Sequence, residues 1–296
     1  MRGKFYDYHP LVNFIYFIVT IAFSMFILHP VFLAISLISS ITYSIMLNGR
    51  KAVKFNIIYM LPTMIIAVLI NALTNRRGTT VLMRIGDNIT ISYEALIFGI
   101  ASSVMIVCVI CWFSCYNKIM TTDKFIYLFG KSIPSLSLVL SMIFRFVPRF
   151  KSQFKKTANS QRCLGYDIFN GSITNRLRSL IKIVSIMMSW ALENSIETAN
   201  SMKSRGYGLR GRSTFSIYKF HTKDSIALIY IISLTTYILA GILKGGINYT
   251  YYPEASMLLN TPYAISIFIV YGLLSTIPII IEIQEDIKWK YLKLTI

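Results

Sequence analysis

The chain has 296 residues, of which 55% are hydrophobic and only 14% charged. Apolar runs of about 18 to 25 residues recur along it, which excludes an ordinary soluble domain and marks a multi-spanning membrane protein. The net charge of +18 gathers at the ends of those runs and in one internal segment, a pattern of membrane topology and headgroup attraction rather than of nucleic-acid binding.

Six spans are expected in chain order: Leu11–Leu28, Val31–Leu47, Phe55–Leu73, Ala95–Tyr116, Ser225–Leu243 and Tyr263–Ile283. Arg2 and Lys4 precede the first like the basic start of a signal peptide. No small-residue cleavage site follows, however, so a retained span is expected. Alternating the six places four basic groups on one side, the cytoplasmic one by the positive-inside rule. They are Arg2 with Lys4; Arg50, Lys51 and Lys54; the segment after span four; and Lys288, Lys290 and Lys293. Eighteen of the 30 basic residues lie between Asn117 and Asp224, against five acidic ones. The His29–Pro30 turn, Thr74–Glu94 and Lys244–Pro262 fall outside; in the second, Arg76, Arg77 and Arg84 are partly offset by Asp87 and Glu94. The organisation is therefore residues 1–116 with four spans, a cytoplasmic helical insert over 117–224, and 225–296 with two spans. Both termini are inside, and the fold class is an all-α integral membrane protein.

Within the spans, Cys108, Cys111 and Cys115 share a helix face. Without a nearby His or carboxylate they read as packing residues, not a metal site. His9, His29 and His221 lack metal-ligand spacing. Ionisable groups are nearly absent from the spans, which argues against a self-sufficient ion-coupled transporter; Asn71 and Lys244 stand near span ends. Gly241, Gly245 and Gly246 permit close helix approach or, more plainly, face lipid. Glu282, Glu285 and Asp286 form an interfacial charge cluster with Lys288 and Lys290.

The insert has helices that do not span. The apolar stretch Ile133–Phe144 is about a dozen residues long, suited to a buried or interfacial helix. It carries Arg145 and Arg149 at its end and runs on to Cys163, with a bend expected at Pro148. A second helix starts near Thr174. Leu177, Leu180, Ile181, Val184, Met187, Met188 and Ala191 recur at helical spacing along it, and it continues to Gly206. Each helix should be roughly 40 to 45 Å long. "FGKS" at Phe129–Ser132 ends like a phosphate-binding loop but has Phe125 where the opening Gly belongs and no preceding strand. Glu193 and Glu197 share a face and read as solvated charges rather than a catalytic pair. No catalytic or metal residues are assigned.

Both helices end in the same phrase. "TANSQRCLGYD", Thr157–Asp167, and "TANSMKSRGYG", Thr198–Gly208, share six of eleven residues. In each, a Gly just past the last turn can take positive φ and close the helix. Arg205 precedes one Gly, where it can offset the negative helix end; Leu164 precedes the other. A cap duplicated by chance is the structural alternative. Two knobs for two equivalent pockets on a soluble dimeric partner is the functional one, with Arg suited to bidentate pairing with carboxylates.

At this point the sequence resembles the transmembrane (T) component of energy-coupling factor (ECF) transporters, importers of the ATP-binding-cassette type that take up vitamins and metals. "SMKSRGYG" is similar to the family's second X-Arg-Gly motif, with Ser204, Arg205 and Gly206 in its three places. "SQRCLG" occupies the place of the first, with Cys163, Leu164 and Gly165. "LSMIFRFVPRF" is similar to the Arg-Phe-x-Pro segment, giving Arg145 and Pro148 a structural part in the coupling domain. "NALTNRRGTTVL" resembles the outer loop after span three. The resemblance implies a scaffold in a bacterial or archaeal plasma membrane that does no chemistry itself. It docks two cytoplasmic ATPases, which hold ATP and Mg, and transmits their closure to a separate substrate-binding membrane subunit, the S component. The family's first motif normally carries Arg where this chain has Leu164. Either the receiving pocket is apolar and the two ATPases differ, or Arg162, two residues back, takes over the pairing. The apolar faces are the expected S-component contact, through Leu136, Leu140, Ile143, Leu177, Ile181, Val184 and Met188. The competing reading is a self-contained permease or channel with the insert as a regulatory module.

Overall fold

The computed structural model describes residues 4–49, 53–54, 56–75, 80–85, 89–132, 134–209, 218–245, 247, 249–252, 256–257 and 262–295. Arg2, Arg50, Lys51, Phe55, Arg76, Arg77, Asp87, Ile133 and Gly246, and the side chains of Arg84, Leu136, Lys290 and Lys293, lie outside the described set. The fold is all-α apart from two short antiparallel hairpins. The chain divides into two compact units, 1–125 with 218–296, and 126–217.

The first unit contains the apolar helices. They are α1 (Pro10–Phe26), α2 (Pro30–Asn48), α3 (Leu61–Thr74), α4 (Tyr93–Ile119), α8 (Thr222–Leu243) and α9 (Pro262–Thr295). Four of them are long and apolar enough to cross a membrane: α2, α4, α8 and the Pro262–Lys288 part of α9. α1 and α3 are shorter apolar helices, α3 being preceded by a π-helical turn, Asn56–Met60. Every expected span therefore corresponds to an apolar helix.

The core is aromatic, with hydroxyls threaded through it. Trp112 is fully buried and meets the rings of Tyr16, Phe17 and Tyr43. Its indole N–H donates to Ser36 Oγ at 3.0 Å, which lies 2.6 Å from Ser24 Oγ. Ser39 meets Ser275 at 3.0 Å, and Tyr16 OH donates to the Ser275 carbonyl. Small hydroxyl residues let helix backbones approach in lipid while their polar atoms stay paired. Cys108, Cys111 and Cys115 are buried in the same interior. Gly241 is buried too and does not face lipid: a Cβ there would lie 2.5 Å from Ile267 Cδ1, so α8 and α9 meet at this point.

α1 and α2 open alike. His9–Pro10 and His29–Pro30 place Pro at the first helical position, where its missing N–H costs nothing, and the imidazole Nδ1 accepts the next free amide, from Leu11 at 3.2 Å and Val31 at 3.3 Å. His29 lies just ahead of α2, buried against Tyr249 and Phe268 with ring centroids at 5.6 and 4.9 Å. Burial holds its imidazole below the usual value. A cap through Nδ1 needs that nitrogen unprotonated, so the contribution is present above about pH 6.5, the unfolded value, and is lost as pH falls through the lower folded value. Thermal melts at pH 7.5 and pH 5 should show an acid loss in the wild type that shrinks in His29→Asn, which keeps a cap acceptor but does not titrate. Equal losses would exonerate His29.

The connections at this end are hairpins. β1 (Val81–Ile85) pairs with β2 (Ile89–Ser92), and β3 (Tyr249–Thr250) with β4 (Ser256–Met257). Tyr251 and Tyr252 pack on Phe98 of α4, and Tyr251 OH donates to the Leu28 carbonyl.

At the other end, the segment Phe5–His9 fastens both limits of the insert. Lys124, in α5 (Thr122–Ser132), is 1% exposed. Its ammonium donates to the Tyr6 carbonyl and lies 3.8 Å from the Tyr6 ring centroid. Burial pushes its pKa down to about 8, with Asp7 opposing. Phe220 stacks edge-on to His9 at 4.9 Å. Asp224 is buried and accepts the amides of His9 and His221, both at 2.9 Å.

The second unit is built on two long helices, α6 (Pro134–Cys163) and α7 (Ile173–Ser204). At 30 and 32 residues they are roughly 45 and 48 Å long. α6 runs through Pro148 as one helix. The pair is antiparallel: Ala158, Ile168, Ile183 and Met187 form a small core against Trp190, and Phe150 packs edge-on to Trp190 at 5.1 Å. Ser179, Ile183, Met187 and Asn194 are the buried residues of α7, spaced by a helical turn or two. Phe129–Ser132 is the last turn of α5, not a loop.

Candidate docking site

Each repeated phrase closes its helix by the same hydrogen-bond pattern. At the end of α6, Tyr166 N–H reaches back to the Gln161 carbonyl at 2.9 Å and Gly165 N–H to Arg162 at 3.0 Å. At the end of α7, Tyr207 N–H reaches Met202 at 3.0 Å and Gly206 N–H reaches Lys203 at 3.0 Å. These are the paired bonds of a Schellman cap, which needs a left-handed residue after the helix. Gly165 and Gly206 supply it at φ +83° and +77°. The 41-residue sequence repeat is thus a repeat of structure, and Leu164 and Arg205 occupy the same capping place. Because the helices are antiparallel, the two ends lie at opposite ends of the pair, on the order of 40 Å apart.

The two tips differ chemically. At the first, Leu164, Phe169 and Ile173 are 67%, 74% and 81% exposed. Arg162 turns onto its own loop, its Nε 3.3 Å from Asp167 Oδ2. Asp167 is held below the usual carboxylate range chiefly by the Phe169 amide, with Asn170 and Arg162 adding to it. Lys182 lies 3.7 Å from the Tyr166 ring centroid. At the second tip Gly208 stands in place of Asp167, again at positive φ. Arg205 is exposed and has no carboxylate partner among the described residues. Ser204 Oγ bonds back to the Asn200 carbonyl at 3.0 Å, while Cys163, at the matching place, is exposed.

Arg205 also lines a cleft of about 240 Å³ between the helices, together with Arg145 and Arg149 of α6 and Asn194, Glu197 and Ser201 of α7. The sequence reading kept Arg145 apart from Arg205; antiparallel packing brings them together.

The apolar arc of α7 has a covered part and an open part. Ile183 and Met187 face α6, whereas Leu177, Ile181, Val184 and Met188 are 58%, 63%, 49% and 63% exposed. Leu192 and Ile196 extend that open stripe. On α6, Ile143 is 48% exposed and Leu140 partly so. Helical spacing alone merged the two parts of this arc and did not single out Ile183.

Comparison with known proteins agrees with this architecture. Residues 7–217 match the family described as "Cobalt transport protein", CbiQ. The chain is similar to proteins named "Energy-coupling factor transporter transmembrane protein EcfT". The one from Macrococcus caseolyticus is 26% identical over 212 residues, 68% of this chain and 77% of the relative. The one from Lactobacillus helveticus is 32% identical over 108 residues, 36% of this chain and 39% of the relative. That from Lacticaseibacillus paracasei is 30% identical over 96 residues, 32% and 36% of the two chains. The match thus spans less than half the length of the last two relatives. With the family match extending from the start of the first unit through the helix pair, this chain belongs to the CbiQ family of membrane transport proteins.

Proposed function

We propose that this chain is the transmembrane coupling component of an ECF-type importer in a bacterial or archaeal plasma membrane. Two cytoplasmic ATPases, holding ATP and Mg, grip the tips of α6 and α7. The helices pass their closure to a separate S component that carries the cargo. The chain itself contributes no catalytic group. The observation that carries this reading is the doubled Schellman-capped tip at opposite ends of one antiparallel pair, an arrangement suited to two similar pockets on a two-fold partner. The open stripe Leu177–Ile181–Val184–Met188, with Leu140 and Ile143, is assigned to the S component; Leu136 belongs to the same sequence face. The insert and both termini lie on the cytoplasmic side, with 117–224 as the coupling domain.

Purification from the native membrane tests the whole reading. ATPases and a small membrane protein should accompany the chain. Substrate flux by the chain alone in vesicles would overturn it in favour of a self-contained permease.

The tips grip unequally. Arg162 is engaged by Asp167, which favours an apolar first pocket over transfer of the pairing to Arg162. Leu164→Arg then places a guanidinium in a site without a carboxylate, and burying an unmatched charged group is costly. ATPase assembly should weaken by about tenfold or more. Improved assembly would mean that the first pocket retains a carboxylate.

A further inference from the structure

We infer that the cleft formed by Arg145, Arg149 and Arg205 is a docking cradle for an acidic segment of the ATPase partner, one presenting at least two carboxylates. The inference rests on the docking reading above and adds to it. Arg205 is one of three guanidiniums facing one space of about 240 Å³.

Arg145 and Arg149 are one helical turn apart and exposed, and neither has a carboxylate within salt-bridge distance among the described residues. Arg149 spreads its guanidinium near Trp190, 5.8 Å from the ring centroid, which steadies it without neutralising it. Asn194 lines the same cleft, and its side-chain amide offers both donors and an acceptor. Three guanidiniums against the single carboxylate of Glu197 leave the cleft net positive by two.

The lining also tells a protein segment from a lipid phosphate. A phosphate needs donors only, which the arginines supply. Glu197 and the hydroxyl of Ser201 add acceptors, as an acidic peptide bearing backbone N–H groups requires. The first tip has no counterpart: Lys156 stands in the repeat where Glu197 does, and Leu164 where Arg205 does. The cradle therefore makes the α7 tip the electrostatic anchor.

The test uses the full chain in nanodiscs and the purified ATPase pair, with affinity measured across a salt series. Arg145→Gln/Arg149→Gln should weaken association about tenfold or more and flatten its salt dependence. Lys155→Gln/Lys156→Gln, the same charge change outside the cleft, should do neither. Equal behaviour of the two double variants overturns the cradle. So does weakening by Arg205→Gln but not by the cleft variant, though ATPase docking at the tip then stands. Unchanged binding of Arg205→Gln removes the ion-pair role of this tip and the cradle with it. Loss of co-purifying anionic phospholipid with ATPase affinity intact would reassign the cleft to a lipid headgroup. Thermal melts control for folding. Arg145→Gln alone, which removes no intrachain partner among the described residues, serves if the double variant is unstable.

Discussion

Arg205→Ala is expected to weaken association with the ATPases by about 2–5 kcal/mol, thirtyfold or more, while leaving the chain folded. The two halves of that expectation have separate grounds. Folding should be nearly indifferent because the Arg205 side chain is exposed and makes no salt bridge with a described residue. The cap of α7 is closed by backbone bonds from Gly206 and Tyr207, which Ala does not disturb. The loss of a cation beside a helix C-terminus costs only about 0.3–1 kcal/mol when exposed. Association should suffer because truncating one partner of a buried charge pair leaves the other unmatched. Arg205→Lys separates charge from geometry: it keeps the cation but not the planar fork, and should recover only part of the affinity. Gly206→Val fails for a different reason. φ at Gly206 is +77°, and a Cβ would come within 3.1 Å of Leu209 Cδ1, so the tip itself would be reshaped. Retained co-purification of ATPases with Arg205→Ala would remove the ion-pair role from this tip.

The parts of this architecture legible in the sequence are those set by local rules. Apolar runs of membrane length gave the spans because lipid solvates a helix by length and composition. The repeated phrase gave both helix ends because a Schellman cap depends on one Gly and the turn before it. The rest depends on partners distant in the chain. Nothing near Lys124 announces that it is buried; its burial follows from Tyr6, more than a hundred residues earlier. The cleft is invisible for the same reason, since Arg145 and Arg205 share it only once α6 and α7 run antiparallel. The hairpins Val81–Ser92 and Tyr249–Met257 are too short for a period-2 pattern to stand out from loop sequence. The face of α7 against α6 was hidden because the covered and open residues are neighbouring parts of one broad apolar arc, which helical spacing alone does not divide. Ile183 and Ile181 look alike in sequence, yet one is fully buried and the other 63% exposed.

Asp224→Ala is expected to destabilise the first unit by about 2–4 kcal/mol, with two buried amides losing their acceptor at once. Asp224 belongs to the first turn of α8, where a carboxylate is already favoured by the helix N-terminus. One oxygen accepts His221 N–H and so caps its own helix; the other accepts His9 N–H, 215 residues away. His9 in turn caps α1 through Nδ1. A single 4%-exposed carboxylate therefore ties the starts of two helices that flank the whole insert in sequence. Removing it breaks a long-range closure as well as a local cap, which is why the expected loss exceeds the roughly 1 kcal/mol of an ordinary N-cap. Asp224→Asn keeps one carbonyl oxygen and can hold one of the two amides, so it should fall between wild type and Ala. Thermal unfolding of the reconstituted chain ranks the three. Hydrogen exchange at His9 and His221 locates the loss, since both amides should lose protection together in Asp224→Ala. Protection lost at His221 alone would show that Asp224 caps its own helix and that α1 is held by other contacts.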